Sequence, residues 1–323
     1  MTFLPLPLLG NPHVQTILGT LVNAAPARLP VQTRLVPLPD GDTIVLHETP
    51  PRVAVPNEPI VLLVHGLGGS SNSPYMPRLT KRLCGLGWRV FRMNLRGAGA
   101  GLRLARRFYN AACSHDVRAV IEHLAQAYPE AGVALAGFSL GGNIVLKLAG
   151  EAAEQPVPSL RAVAAVAPPI DLIRCSELMA KYPYYDAFFV HNLTTQVREH
   201  QRYFPDLPRI VFPRRATLRQ FDDLYTAPRW GYADALDYYR QASAVSRIGA
   251  VRLPTYILTA RDDPFVAVAP FEAVPMPPSV ELHITAHGGH LGFLGRDETG
   301  GVRWAETQIA NWLAKQVAEW TTG

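Results

Sequence analysis

Residues 133–142 read Val133-Ala134-Leu135-Ala136-Gly137-Phe138-Ser139-Leu140-Gly141-Gly142, and the apolar stretch Asn143–Ala152 follows. The run Val133–Ala136 has the length and character of a buried strand, and the stretch after Gly142 that of a helix. Between them, glycines two before and two after Ser139 let neighbouring backbones pass without a Cβ in the way. This is the sequence form of a tight strand-to-helix turn that lifts a serine hydroxyl out of a sheet. The start of the following helix would point amides at the serine, so an oxyanion forming there would be stabilised where it appears. The stretch points to acyl-transfer chemistry, although glycines flanking a serine are also ordinary turn residues. Three further stretches decide between these readings.

Upstream, Ile60-Val61-Leu62-Leu63-Val64 is a β-branched apolar run that ends in His65-Gly66-Leu67-Gly68-Gly69. A buried parallel strand followed by a glycine-rich loop is where a second oxyanion donor would sit. The backbone N–H groups of Leu67 and Leu140 are assigned as the two donors, and His65 is read as a satisfied structural histidine. Downstream, Thr255–Ala260 reads as a strand that runs into Arg261-Asp262-Asp263-Pro264. An aspartate at that strand end can reach a histidine across the sheet and fix its tautomer. Asp263, three residues past Ala260, is the preferred acid; Asp262 competes for the role and otherwise reads as a turn former that bonds its own backbone. The base should follow one more strand, Val280–Thr285, after which comes Ala286-His287-Gly288-Gly289-His290-Leu291-Gly292-Phe293. His290 is the expected base; His287 is the weaker choice, and His283 alternates within the strand as a packing or surface residue.

The rest of the chain alternates strand and helix. Val31–Leu38 and Thr43–Glu48 flank a turn at Pro39–Asp42 as a hairpin, and proline-rich Pro50–Pro59 links it to Ile60. Helices are expected at Pro77–Leu86, Ser114–Tyr128 and Trp304–Glu319, with strands at Trp88–Met93 and Ala162–Ala167. This order implies an α/β fold with a mainly parallel central sheet flanked by helices. The 323 residues are read as a single domain, with Asp171 to Ala250 as a helical lid insertion. The insertion is rich in arginine and aromatics, most of which are expected to pack it against the core.

The motifs together resemble a YheT-type α/β-hydrolase. This branch also holds fungal medium-chain fatty acyl esterases and ethyl ester synthases, and mammalian membrane-anchored hydrolases. The resemblance rests on Asn11-Pro12-His13-Val14-Gln15-Thr16, His65–Ser70, Asn94-Leu95-Arg96-Gly97-Ala98-Gly99, Gly137–Asn143, Asp262-Asp263-Pro264 and Gly288–Phe293. The first of these is the most branch-specific. Tyr109-Asn110-Ala111-Ala112-Cys113 departs from the pattern, which often shows a Tyr-His and a glycine there; the departure bears on the pocket wall and not on the triad.

The expected chemistry is cleavage of carboxylic esters of short- to medium-chain acyl groups by a Ser139–His290–Asp263 triad, with no cofactor and no metal. Transfer of the acyl group to an alcohol is the first alternative, and a non-catalytic member of the fold that binds an apolar ligand is the second. The expected partner is a small ester with an apolar acyl chain. The net charge is +5, with its densest basic run at Arg103–Arg107. That run reads as a solvated face that could also meet a lipid surface; no nucleic-acid motif accompanies it. Cys84, Cys113 and Cys175 are scattered and odd in number, so neither a disulfide framework nor a metal cluster is expected. No membrane span and no signal peptide are expected, because apolar runs are short and the proline-broken start lacks a basic leader. The resemblance implies a soluble cytoplasmic version.

Overall fold

In the computed structural model, residues 2–21, 29–51, 53 and 58–321 are described. Among these described residues eight strands form: β1 (Gln32–Pro37), β2 (Thr43–Thr49), β3 (Ile60–Val64), β4 (Arg89–Asn94), β5 (Val133–Phe138), β6 (Leu160–Val166), β7 (Thr255–Ala260) and β8 (Val280–Thr285). They form one sheet in the order β1-β2-β4-β3-β5-β6-β7-β8. The hairpin β1/β2 is antiparallel, β2 joins β4 antiparallel, and every later pairing is parallel. The hairpin and the strand at Thr255–Ala260 stand where the sequence places them. Part of the proline-rich link Pro50–Pro59 lies outside the described residues.

The central strands are apolar along their whole length because both sheet faces are covered. In β3 every residue is buried. Ile60, Leu62 and Val64 join the core on one face, while Val61 and Leu63 join that on the other, as the two-residue period of a strand requires. Helices α1 (Pro12–Leu21) and α2 (Tyr75–Gly85) open the chain's helical set, followed by α3 (Ser114–Ala127) and α4 (Leu140–Glu151). Between β6 and β7 come α5 (Leu172–Met179), α6 (Pro183–Tyr203), α7 (Leu218–Phe221), α8 (Ala227–Trp230) and α9 (Ala235–Ala242). A short α10 (Ala269–Ala273) and the closing α11 (Trp304–Thr321) complete the order. Residues of α2 and α11 pack on the Val61/Leu63 face; those of α3, α4 and the helices after β6 pack on the other. Truncating a side chain such as Leu62, which has no exposed surface, to alanine would cost about 2–5 kcal/mol.

α4 starts at Leu140, immediately after the serine and three residues before the stretch expected from sequence. The glycines at 141 and 142 are therefore inside its first turn. The reason is contact rather than propensity: a Cβ on Gly141 would stand 2.5 Å from the carbonyl oxygens of Val64 and His65, so the helix can cross the end of β3 only with glycine there.

Buried Arg96 anchors the loop after β4. Its guanidinium donates to both oxygens of Asp116, at 2.9 and 2.6 Å, and to Asp42 and Asp40 at 2.6 Å each. Burial pushes the Asp116 carboxyl up, but Arg96 and His115 outweigh that and hold it below the usual range. The Asn94-Leu95-Arg96-Gly97 motif is thus a structural clamp between the β1/β2 turn and α3. The basic run Arg103–Arg107 keeps Arg103, Arg106 and Arg107 exposed. It is also braced on the helices after β6, with Arg103 donating to Tyr203 Oη at 2.7 Å and Arg107 lying 5.3 Å from the Trp230 ring. Among the described residues no helix is long and apolar enough to cross a membrane.

Candidate active site

Ser139 is the first residue after β5 and sits at φ +51°, ψ −122°, a region a non-glycine residue occupies at a cost of about 1–3 kcal/mol. Hydrogen bonds on both sides hold it there: its N–H donates to Val166 O at 2.8 Å, and its carbonyl accepts from Asn143 N at 3.1 Å. Asn143 is fully buried. It donates to Ala111 O and Ala242 O and accepts from Ala244 N, so one side chain ties the serine turn to two other loops.

The loop after β8 brings His290 to the serine. His290 Nε2 lies 2.8 Å from Ser139 Oγ, and its Nδ1 lies 2.8 Å from Asp263 Oδ2. A carboxylate only accepts, so the proton is on Nδ1 and Nε2 accepts from the serine hydroxyl. The Asp263 side chain has no exposed surface. Its other oxygen accepts from the N–H groups of Phe265 and Val266 at 2.8 and 3.0 Å, leaving it a single outward partner, His290.

Asp262 points elsewhere. Its Oδ1 accepts from Gly289 N at 2.9 Å and its Oδ2 lies 3.3 Å from His287 Nδ1. It does not bond its own turn as the sequence reading allowed; the turn bonds belong to Asp263. The difference follows from the short reach between the β7 and β8 loops, which lets an Asp262 side chain fasten the histidine loop instead. His283 meets Tyr256 Oη at 3.0 Å and packs against Trp304, and His287 is half exposed.

After β3, the four amides from Gly66 to Gly69 divide clearly. Gly66 N donates to Tyr75 Oη at 2.9 Å, Gly68 N to Tyr109 Oη at 2.7 Å, and Gly69 N to Gly66 O at 3.1 Å. Among the described residues the Leu67 amide has no such partner, and Leu140, as the first residue of α4, has no helical carbonyl behind it. His65 is fully buried. Its Nδ1 donates to Gly66 O at 2.8 Å and its Nε2 accepts from Leu95 N at 3.1 Å. Burial pushes its pKa down to about 4, against a smaller opposing effect of the Gly66 carbonyl. It is a neutral structural histidine, as the sequence suggests.

The N-terminal motif turns out to hold the histidine loop, a role that sequence reasoning did not assign. Asn11 Oδ1 accepts from His13 N and Val14 N and so begins α1. Thr16 Oγ1 accepts from His290 N at 2.9 Å. Gln15 accepts from Leu294 N at 2.7 Å and donates to Leu294 O at 3.2 Å. The fit is close enough that a Cβ on Gly292 would meet Gln15 O at 2.6 Å. The sequence likewise assigns no role to Tyr75 and Tyr109, since nothing in it marks a tyrosine as a clamp for a glycine loop.

Ser139 and His290 open into a mainly apolar cavity, whose empty space together with the solvent at its mouth is about 910 Å³. Leu67 and Leu140 line it on the sheet side, with Met179, Phe189, Leu193, Phe221 and Tyr225 from the helices after β6. Most other aromatics of that segment pack instead, while Tyr184 and Phe188 are exposed. The described residues contain one group with metal-like spacing, Cys113, His115 and Asp116. Asp116 is committed to Arg96, and burial pushes the Cys113 thiol well up, so its thiolate is disfavoured.

Comparison with known proteins places this site in context. The model of the alpha/beta hydrolase fold family matches residues 59–297. The chain is 34% identical to "Putative esterase YheT" of Escherichia coli (strain K12), covering 96% of this chain and 92% of that one. It is 32% identical to Phospholipase ABHD3 of Mus musculus, covering 87% and 70%. It is 27% identical to Medium-chain fatty acid ethyl ester synthase/esterase 2 of Saccharomyces cerevisiae (strain ATCC 204508 / S288c), covering 80% and 62%. Among solved structures, the Pyrococcus furiosus esterase Pf2001 superposes with a TM-score of 0.60 at 16% identity, over 98% of both chains, a likeness of fold. The chain therefore belongs to the alpha/beta hydrolase fold family, in its YheT-type esterase branch.

Proposed function

We propose that the protein hydrolyses carboxylic esters of short- to medium-chain acyl groups through an acyl-enzyme on Ser139. The observation that carries this reading is the continuous line Asp263–His290–Ser139, with 2.8 Å at each step, opening into an apolar cavity. His290 Nε2 takes the hydroxyl proton as Ser139 Oγ attacks the ester carbonyl carbon, and the imidazolium is stabilised by Asp263. The Leu67 and Leu140 amides are the donors for the oxyanion. Collapse breaks the ester C–O bond, and His290 returns the proton to the departing alcohol. Water then attacks the acyl-serine by the same steps and releases the acid.

In this reading, residues 1–323 are one α/β-hydrolase domain and residues 171–250 are its lid, whose inner side forms the acyl wall. An alcohol in place of water would make the same acyl-enzyme a transferase; the yeast relative named as both synthase and esterase favours keeping that second reading. Cys84, Cys113 and Cys175 are buried thiols, which favours a reducing compartment such as the cytoplasm.

Initial rates on p-nitrophenyl esters from acetate to palmitate, with Ser139→Ala beside the parent, test the proposal. A chain-length optimum abolished by Ser139→Ala supports it. Absence of turnover together with failure of a fluorophosphonate to label Ser139 would favour a binding-only protein.

A further inference from the structure

The apolar cavity contains polar groups that the hydrolysis of a plain fatty acyl ester does not use. Asp222 lines it and is buried, at the start of a π-type helical turn, Asp222–Thr226, inserted between α7 and α8. Such turns are unusual and recur at functional sites. Asp222 Oδ2 accepts from Tyr239 Oη at 2.6 Å, and the Thr226 hydroxyl also bonds the carboxyl. No lysine or arginine pairs with it among the described residues. Two bonds fill about half of the roughly four positions at which a carboxylate can accept.

Asn110 supplies a second, independent observation. It is 3% exposed and lines the same cavity. Its Oδ1 accepts from Ala112 N at 2.6 Å, which fixes the orientation of the amide. Its Nδ2 is buried and has no partner among the described residues. The two sites are joined through neighbouring tyrosines: Ala111 N donates to Tyr238 Oη at 2.8 Å, and the Tyr238 ring lies 5.3 Å from that of Tyr239, which holds Asp222. Two residues that line the cavity thus carry unused hydrogen-bonding capacity, a donor on Asn110 and acceptor positions on Asp222.

A buried unpaired polar group is costly unless something completes it. A plain alkyl chain completes neither group. A carboxylate tail would suit Asn110 and be repelled by Asp222, whereas an ammonium would suit Asp222 and leave Asn110 unpaired. A hydroxyl both accepts and donates, so it suits either group.

We propose that Asn110 and Asp222 form a recognition site for a hydroxyl on the acyl chain, so that the preferred substrates are esters of hydroxylated fatty acids. The proposal rests on the esterase reading above and deepens it by naming the substrate class. Burial pushes the Asp222 carboxyl up to about 6, which leaves it mostly an acceptor at neutral pH.

The test separates binding from turnover. Ser139→Ala protein, which leaves esters intact, is titrated calorimetrically with p-nitrophenyl hexanoate to dodecanoate, each with and without a terminal hydroxyl. At one chain length the hydroxylated ester should bind about tenfold more tightly than its plain counterpart. Adding Asp222→Asn, Tyr239→Phe or Asn110→Ala should bring that ratio towards one, and Tyr239→Phe and Asn110→Ala keep the test open if the aspartate variant does not fold. Plain esters that bind as well as the hydroxylated ones at every length would overturn the proposal. Failure of the parent protein to turn over any ester would instead count against the esterase reading, and the binding ratio would still be readable.

Discussion

The loops that follow β3, β5, β7 and β8 and the helices between β6 and β7 build opposite walls of one cavity by different means. On the strand-end side each group is held through backbone hydrogen bonds: Ser139 by Val166 and Asn143, Asp263 by Phe265 and Val266, His290 by Thr16. On the helical side the walls are side chains such as Met179, Leu193 and Phe221, packed as core residues pack. Backbone geometry admits one solution and fixes chemistry; side-chain packing admits many and sets what fits. Changes on the strand-end side should therefore remove activity on every substrate, and changes on the helical side should re-rank substrates.

The sharpest version contrasts two adjacent residues on the strand-end side. Asp263→Asn should lower kcat by about 10³–10⁴-fold, because an amide no longer holds the Nδ1–H tautomer or stabilises the imidazolium. Asp262→Asn keeps an oxygen that can accept from Gly289 N, so its loss should stay within about tenfold. Steady-state kinetics on one ester decide the matter; an Asp262→Asn loss equal to that of Asp263→Asn would break the assignment of the acid.

This division also explains what could be read from the chain. The four strand-end stretches are legible because each combines an apolar strand with the few residue types its turn tolerates, and they stand in the order Ser139, Asp263, His290 that the proposed chemistry requires. Asn11-Pro12-His13-Val14-Gln15-Thr16 is distinctive as a motif, but nothing in it announces the helix α1. Its purpose lies in bonds to residues almost 280 positions away, such as Thr16 to His290, and no local pattern encodes such a partner. Nor does a local pattern mark Tyr75 and Tyr109 as partners of the glycine loop, or Asp222 as the partner of Tyr239. In the segment after β6 the sequence discloses an aromatic composition, but not which rings face the cavity.

The two sides should also answer acid with opposite sign. His65 has its pKa pushed down to about 4 by burial, so an unfolded chain takes up its proton first. The stability it contributes is fully present above about pH 6.5 and drains away as pH falls to 4, by about 3 kcal/mol. Asp222 has its pKa pushed up to about 6, so the folded state holds the proton more readily. Its charged form weakens the fold as pH rises from about 4 to 6, and acidification relieves that by about 3 kcal/mol. Urea unfolding from pH 7 to pH 4 should therefore show His65→Gln losing less stability than the parent, and Asp222→Asn losing more. Parallel pH curves for all three proteins would remove the asymmetry.

The smallest effect tests the helical side directly. Leu193 on α6 lines the cavity and is 5% exposed, so Leu193→Trp adds volume to the proposed acyl wall at a residue other than Ser139, His290 or Asp263. Overpacking costs stability, about 1–3 kcal/mol, but short acyl chains need little of the wall and long chains need all of it. The ratio of kcat/KM for palmitate to that for acetate should fall about tenfold, the magnitude expected when a few methylenes lose their place, and the chain-length optimum should move towards shorter esters. Because a ratio between substrates cancels any loss of folded enzyme, destabilisation alone cannot produce this result. A uniform fall across all chain lengths would mean that α6 supports the catalytic loops rather than shapes the pocket, and the contrast between the two walls would fail at that point.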